Sequence, residues 1–293
     1  MLDILVTGAG GQLGCELQRL GAVSPNNYLF TDRAELDVTD ADAVRRAVEA
    51  TRAKVIVNCT AYTAVDRAEE EPDAAERLNA TAAGHLAEAA REAGATLIHV
   101  STDYVFDGRT HRPYTEEELP APLNVYGRTK RAGEEAIARS GCKAIVIRTA
   151  WLYSEFGRNF LKTMLNITAR QPRVNVVFDQ VGTPTYAGDL ALAIFSIVES
   201  GRYAGNEGIY HFSDEGVCSW YDFAVEIAAE AGHDACRIVP CRTADYPARA
   251  LRPAYSVLDK TKIKRTFDLE IPHWRDSMRY CIERLRASKA QHE

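Results

Sequence analysis

The chain has 293 residues, 46% apolar and 26% charged, the proportions of an ordinary soluble globular protein with room for one large domain or two smaller ones. Its 35 basic and 41 acidic residues leave a net charge of -6 without a basic block, so a nucleic-acid or membrane-surface role finds no electrostatic support. No apolar run reaches the ~18 residues of a membrane span, no signal-peptide pattern is present and the first strand starts at Leu2, so the expected location is the cytoplasm.

The apolar run Asp3 to Thr7 feeds into Gly8-Ala9-Gly10-Gly11-Gln12-Leu13-Gly14 and then a helical pattern through Leu17 and Leu20. Strand, glycine turn and helix in that order are the context of a dinucleotide-binding fingerprint, here with glycines at 8, 11 and 14. Such glycines let the backbone turn tightly and approach a pyrophosphate seated on the helix N-terminus. A second strand, Tyr28 to Thr31, ends at Asp32-Arg33. Asp32 suits the adenosine ribose hydroxyl and Arg33 a 2′-phosphate, so NADPH, NADH or both fit. Asp37-Val38 begins the next turn, and Asp40 caps a helix to about Arg52.

Lys54 to Asn58 is a third strand, ending in the small and polar residues Cys59 to Asp66, which include Ala61, Tyr62 and Thr63. A helix begun by Pro72-Asp73 carries Leu78, Ala82, Leu86 and Ala89 on one face. Leu97 to Val100 reads as a buried strand stopping on Ser101-Thr102-Asp103, a trio placed to face the crevice beyond the carboxyl ends of a parallel sheet. Tyr126 and Lys130 follow four apart at the start of a helix running to about Arg139, which puts both on one face. A phenol beside an ammonium is an acid/base arrangement, the positive charge favouring the phenolate. A fifth strand spans Ala144 to Thr149.

The regular strand–helix alternation implies an α/β fold, a doubly wound parallel sheet over residues 1-150. After Arg148 the rhythm changes. Helices are expected near Asn159 to Arg170, Asp189 to Val198, Trp220 to Ala231 (its aromatic stripe read as core), after an Asp259 cap, and from Trp274 to Arg286, with a strand at Val174 to Phe178. Residues 151-293 would form a smaller, discontinuous mixed α/β domain, with a segment around 182-212 returning to the first. The cysteines at 15, 59, 142, 218, 236, 241 and 281 are odd in number, scattered and without a Cys-x-x-Cys, which fits reduced thiols rather than a zinc site.

The stretches TGAGGQLG, VNCTAYTAVDRAE, STDYVFDG, PLNVYGRTK, RTAWLY, DQVGTPT and RPAYS, in this order, resemble the extended short-chain dehydrogenase/reductases. Within these the chain is similar, over nearly its whole length, to the dTDP-4-dehydrorhamnose reductase family. The resemblance implies a Rossmann-like fold and NAD(P)H-dependent reduction of the C4 ketone of a dTDP-6-deoxy-4-hexulose. It implies Tyr126 as proton donor, Lys130 holding the nicotinamide ribose and favouring proton loss from Tyr126, and Thr102 bonding the ketone in the place of the usual serine. It further implies cofactor contacts from Gly11, Gln12, Leu13, Asp32, Asp37, Val38, Ala61, Tyr62 and Thr63. Asp103 and Trp151 would meet the sugar; Gln180, Thr183 and the segment Arg252 to Ser256 the nucleotide diphosphate, Arg252 foremost because of its fork of donors. Some relatives bind magnesium through glutamates at a dimer interface. Glu16 matches one such position, but the helix opening Tyr186-Ala187-Gly188-Asp189 has no glutamate for the second. No metal ligand is therefore assigned, metal-dependent dimerisation is not expected, a homodimer stays open, and Glu16 reads as a solvated or helix-start acid. The alternatives are an epimerase or dehydratase of the same superfamily and a non-catalytic NADP-binding regulatory subunit.

Overall fold

The computed structural model describes residues 3–290; Leu2 lies outside the described residues. β1 (Asp3–Thr7), α1 (Gln12–Gly21), β2 (Asn27–Thr31), α2 (Ala41–Thr51), β3 (Val55–Asn58), the one-turn α3 (Val65–Ala68), α4 (Pro72–Glu76), α5 (Ala82–Ala93), β4 (Thr96–Thr102), α6 (Val125–Ser140) and β5 (Lys143–Thr149) make up the first half. Then come β6 (Leu152–Tyr153), α7 (Phe160–Thr168), β7 (Arg173–Val177), β8 (Val181–Gly182), β9 (Thr185–Tyr186), α8 (Ala187–Glu199), β10 (Gly208–His211), β11 (Cys218–Ser219), α9 (Trp220–Ala231), β12 (Arg237–Cys241), α10 (Thr261–Phe267) and α11 (Trp274–Ala290).

Six strands form one sheet in the order β2-β1-β3-β4-β5-β10, and every neighbouring pair is parallel. A parallel sheet must be covered on both faces, and the near-continuous apolar strands supply both. Ile4, Val6, Val55, Val57, Ile98, Ile145 and Ile147 point to one side, where Leu13 and Leu17 of α1 and Leu190 and Ile194 of α8 cover them. Their neighbours Leu5, Ile56, Leu97 and Val146 point to the other, against Val44 and Val48 of α2, Leu86 of α5 and Ile137 of α6. Each such side chain contributes roughly 1.5–3 kcal/mol by leaving water. Another apolar cluster joins Tyr153, Leu161, Met164, Phe223, Ile227, Trp274 and Met278, around the two-stranded β12-β7, β11-β8 and β6-β9 pairs. No described helix is long and apolar enough to cross a membrane.

The chain runs from β1 to β2 on one side, then to β3 on the other. That reversal opens a crevice between the carboxyl ends of β1 and β3, the place where such sheets bind ligands.

Several elements depart from the periodic reading. β4 does not stop at Val100: Ser101 pairs with Arg148 and Thr102 with Thr149 of β5, so the ladder holds two more residues in strand conformation. The helix opened by Pro72 is interrupted by a π turn, Arg77–Thr81, between α4 and α5. There Asn79 is buried against Gly133 of α6, where a Cβ would stand 2.2 Å from the Asn79 carbonyl oxygen. α10 starts at Thr261 after Lys260, and Asp259 accepts the Thr261 N–H (2.7 Å) from one residue further out than a cap. β10 and β12 had no clear sequence signal: one is four residues beginning with Gly208, the other contains Pro240. Trp220, read as core, is only partly buried because its ring faces a cleft.

Candidate active site

The glycine turn comes first because everything else leans on it. Gly8 has φ +74°, and a Cβ there would stand 2.8 Å from the Thr60 nitrogen beyond β3. A Cβ on Gly14 would lie 2.3 Å from the Gly8 carbonyl oxygen. Only glycine permits both approaches. Gly11 precedes α1 with no side-chain cap, leaving the first-turn N–H groups free to receive an anion. A cavity of about 530 Å³ extends from Gly8, Gly10 and Gly11 past Asp32, Arg33, Asp37, Val38 and Tyr62. The Asp32 carboxyl is held below the ordinary range by hydrogen bonds with Glu35 and the Ala34 N–H, and that of Asp37 by the Thr39 hydroxyl and N–H. Tyr62 is fixed at both ends: its hydroxyl donates to Glu71 (2.8 Å) and its N–H to Asn79 (2.8 Å). Arg77, at the head of the π turn, lines the same cavity, and nothing in the sequence pattern had singled it out.

Gly11 also lines a second cleft of about 530 Å³, shared with Gln12, Leu13, Ala61, Thr63, Thr102, Asp103, Tyr126, Lys130, Trp151 and Trp220. Asn124 caps α6 by accepting the Gly127 N–H (2.7 Å). Gly127 lets the helix touch the 3₁₀ turn after β4, since a Cβ there would meet the Tyr104 carbonyl oxygen at 2.2 Å. This close approach delivers Tyr126 to the end of β4, beside Thr102 in the same cleft. The Thr102 hydroxyl also donates to Asp103 (3.0 Å) and accepts the Tyr104 N–H (3.2 Å).

The expectation that Lys130 loosens the Tyr126 proton is corrected. Burial pushes the Tyr126 phenol up to about 12, with the Thr102 bond lowering it and Asp103 raising it. The Lys130 amine instead donates to the Val100 carbonyl (2.6 Å) and lies 3.3 Å from His99 Nε2. Burial lowers its own pKa to about 8 against the pull of Glu134. At neutral pH Tyr126 therefore carries its proton, the state a proton donor needs. Asp103 is buried, which raises its carboxyl to about 7 against the Ser256 and Thr102 hydroxyls.

On the far side Trp151, at φ +47°, stacks on Trp220 with ring centroids 3.6 Å apart and planes 9° apart. A Cβ on Gly182 would stand 2.7 Å from the Trp151 ring. A third cavity, about 540 Å³, shares Thr63, Val65, Tyr104 and Trp220 with the cleft and reaches Asp66, Gln180 and Arg252. Gln180 donates to Thr243 (3.0 Å) at its wall. Arg252 is held by Asp66 through two contacts, 2.6 and 3.1 Å, and lies beside Tyr104 in the cavity wall. Thr183 is not brought to either cavity: it is fully buried and donates its hydroxyl to the Gly216 carbonyl (2.8 Å). Ser256 is buried behind Asp103.

Glu16 is corrected from a solvated acid to a buried one, paired with Arg19 (3.1 Å) beside Glu155 and Tyr186. Burial, then repulsion from Glu155, pushes its carboxyl up to about 7. The other site residues not anticipated are Asp66, His99, Tyr104 and Trp220. For Trp220 a signal existed, since it is the first residue after the Ser219 capping box, where a helix end opens onto solvent or ligand.

Against known proteins, the family model described as RmlD substrate binding domain matches residues 2–287. A dTDP-4-dehydrorhamnose reductase of Aggregatibacter actinomycetemcomitans is 42% identical over 289 residues, covering 95% of this chain and 98% of that one. The crystal structure of a dTDP-4-dehydrorhamnose reductase from Clostridium acetobutylicum is 40% identical, with TM-score 0.91 over 97% of this chain and 99% of that one. One from Bacillus anthracis, solved in complex with NADP, is 36% identical with TM-score 0.91, covering 97% of this chain and all of that one (100%). With the glycine turn, the Tyr126–Thr102 contact and the paired tryptophans in place along one chain, this protein belongs to the RmlD substrate binding domain family.

Proposed function

We propose that this chain is an NADPH-dependent reductase that converts the C4 ketone of dTDP-4-dehydro-L-rhamnose to the alcohol of dTDP-L-rhamnose, the last step in making that sugar nucleotide. The observation that carries the reading is the protonated Tyr126 phenol beside Thr102, inside a cleft that meets the glycine-turn cavity at Gly11. Relatives bearing the reductase name over nearly their full length support the substrate, and the NADP-bound relative supports the cofactor.

The cradle suits a dinucleotide because two glycine-dependent approaches, at Gly8 and Gly14, clear space above the N-terminus of α1. Gly8, Gly11 and Gly14 shape the pyrophosphate seat, Gln12 and Leu13 begin the helix over it, and Asp32, Arg33, Asp37, Val38 and Tyr62 surround the adenosine end. Ala61, Thr63 and Lys130 face the nicotinamide end. A dinucleotide held by these residues would supply the hydride for the ketone carbon. As charge grows on the ketone oxygen, Tyr126 gives it the phenolic proton, and the Thr102 hydroxyl, turned from Asp103, donates a hydrogen bond to it. Asp103 and Trp151 form the wall against the sugar, and the cavity with Gln180 and Arg252 takes the nucleotide diphosphate. Residues 151–293, less the 182–212 segment that returns to the sheet, are read as the sugar-nucleotide domain. NADH is accepted as a second cofactor, and the reaction is placed in the cytoplasm.

The test is purified protein with NADPH and the 4-keto sugar nucleotide, following loss of reduced-cofactor absorbance and formation of the alcohol. Stoichiometric oxidation supports the reading. Product formation without net NADPH consumption means an epimerase or dehydratase, and cofactor binding without turnover means a regulatory subunit.

A further inference from the structure

Beneath the cleft a buried chain of hydrogen bonds leads to Lys130 from the loop after β3, and its direction is set at its far end. The Thr60 N–H, which can only donate, points at Asn58 Oδ1 at 2.9 Å. The Thr7 hydroxyl donates to the same oxygen at 2.9 Å. These two donors fix the amide, so Asn58 presents its nitrogen to His99, with Nδ2 3.0 Å from Nδ1. An amide nitrogen only donates. Nδ1 therefore accepts, and a neutral imidazole must carry its proton on Nε2. Nε2 stands 3.3 Å from the Lys130 amine. Against an ammonium this contact would set two donors face to face; against a neutral amine it is a hydrogen bond into the nitrogen lone pair.

The surroundings sharpen the choice. Asn58, His99 and Lys130 are all buried, so solvent does not relieve a mismatch. The carboxylate that faces Lys130 is Glu134, one turn along α6, and its charge is spent elsewhere: Arg148 grips it through 2.7 and 2.8 Å contacts, with Arg131 and the Ser101 hydroxyl completing its shell. From β4, Lys130 meets only His99 and the Val100 carbonyl, which accepts from either form of the amine. Tyr126, one turn earlier on α6, keeps its phenol protonated. Burial drives both Lys130 and His99 toward their neutral forms, in agreement with the geometry.

We infer that His99 is a positioning residue for the reaction: with its proton locked on Nε2 by Thr60 and Asn58, it stabilises Lys130 as a neutral amine and so makes its ammonium a ready proton source. The inference rests on the reductase reading. After Tyr126 yields its proton to the substrate oxygen, a water or ligand hydroxyl between the two side chains gives its proton to the Tyr126 oxygen and takes one from the Lys130 ammonium, whose N–H bond breaks. The amine left behind accepts the His99 Nε2–H, and a proton from solvent later restores the ammonium.

The first test needs no activity. In the full-length protein with 15N-labelled histidine, the His99 ring nitrogens, assigned by their loss in His99→Ala, should show the proton on Nε2. A proton on Nδ1 overturns the inference, whatever the enzyme's substrate. The second test is the alkaline limb of the kcat profile with NADPH and the 4-keto sugar nucleotide. Asn58→Asp keeps the shape but makes the neighbour an acceptor, which turns the His99 proton to Nδ1 and offers Nε2's lone pair to the ammonium. That variant should move the limb upward by about one pH unit, a tenfold gain in proton affinity, and His99→Ala should move it the same way. A lower kcat with the limb unmoved in Asn58→Asp marks a purely structural role and overturns the proposal.

Discussion

Arg252 closes both arms of its guanidinium on Asp66, Nη2 to Oδ2 at 2.6 Å and Nη1 to Oδ1 at 3.1 Å, joining residues 186 apart in the chain. Asp66 Oδ1 also accepts the N–H groups of Arg249 and Ala250, at 3.1 and 3.0 Å. One carboxylate thus holds a surface segment beside the cavity assigned to the nucleotide. A diphosphate presents the same paired acceptors that the guanidinium fork fits. Arg252→Lys keeps the charge but loses the fork. It should raise KM for the sugar nucleotide about tenfold, near 1.4 kcal/mol, with kcat little changed. An unchanged KM would confine Arg252 to holding the segment in place.

Tyr126 lines the cleft beside Thr102 with its phenolic proton in place. Tyr126→Phe should lower kcat by at least about a hundredfold, the ordinary worth of a positioned acid. NADPH affinity, measured by fluorescence titration, should stay within about twofold, since the ring remains. Undiminished turnover removes Tyr126 from the acid role.

Cofactor choice turns on the adenosine end, where Asp32, Arg33 and Arg77 line one cavity. Arg33→Ala and Arg77→Ala should each weaken NADPH more than NADH, because only NADPH carries a 2′-phosphate. Asp32→Ala should weaken NADH more, by removing the ribose acceptor. Ratios of kcat/KM for the two cofactors check this, and an unchanged ratio in Asp32→Ala means Asp32 does not read the ribose.

Asp103 links the site to stability. Its folded-state pKa, about 7, stands above the ordinary carboxyl value of 3.8, so the fold prefers the protonated carboxyl. That stability is complete below the unfolded pKa and is lost as pH rises through about 7. Thermal scans without ligand should find wild type and Asp103→Asn alike near pH ~4, with the variant surviving to higher temperature above pH ~7. An equal gap at every pH would mean that the Asp103 carboxylate is not desolvated.

Much of the site is legible in the sequence. Gly8, Gly11 and Gly14 announced a close backbone approach, and in the fold a Cβ at 8 or 14 collides with neighbouring backbone. Tyr126 and Lys130 did fall on the cleft side of one helix, because four residues make about one turn. Their electrostatic relation is not legible from spacing, because burial outweighs charge proximity for both. Water excluded from the cleft acts on both groups, raising the phenol and lowering the amine. Thr183 sat in a promising polar stretch, yet it was taken up by the Gly216 carbonyl, a partner 33 residues away.

What the sequence determined by itself is the alternation of strands and helices, the glycine cradle and the helix that carries Tyr126 and Lys130, because periodicity, turn chemistry and spacing are local properties of the chain. Tertiary structure alone decided which side chains meet. It brought Asp66 to Arg252, Trp151 onto Trp220 and His99 beneath Lys130. Those contacts depend on how the covered sheet closes over residues far apart in sequence, and the burial it imposes decides which of them carry a proton.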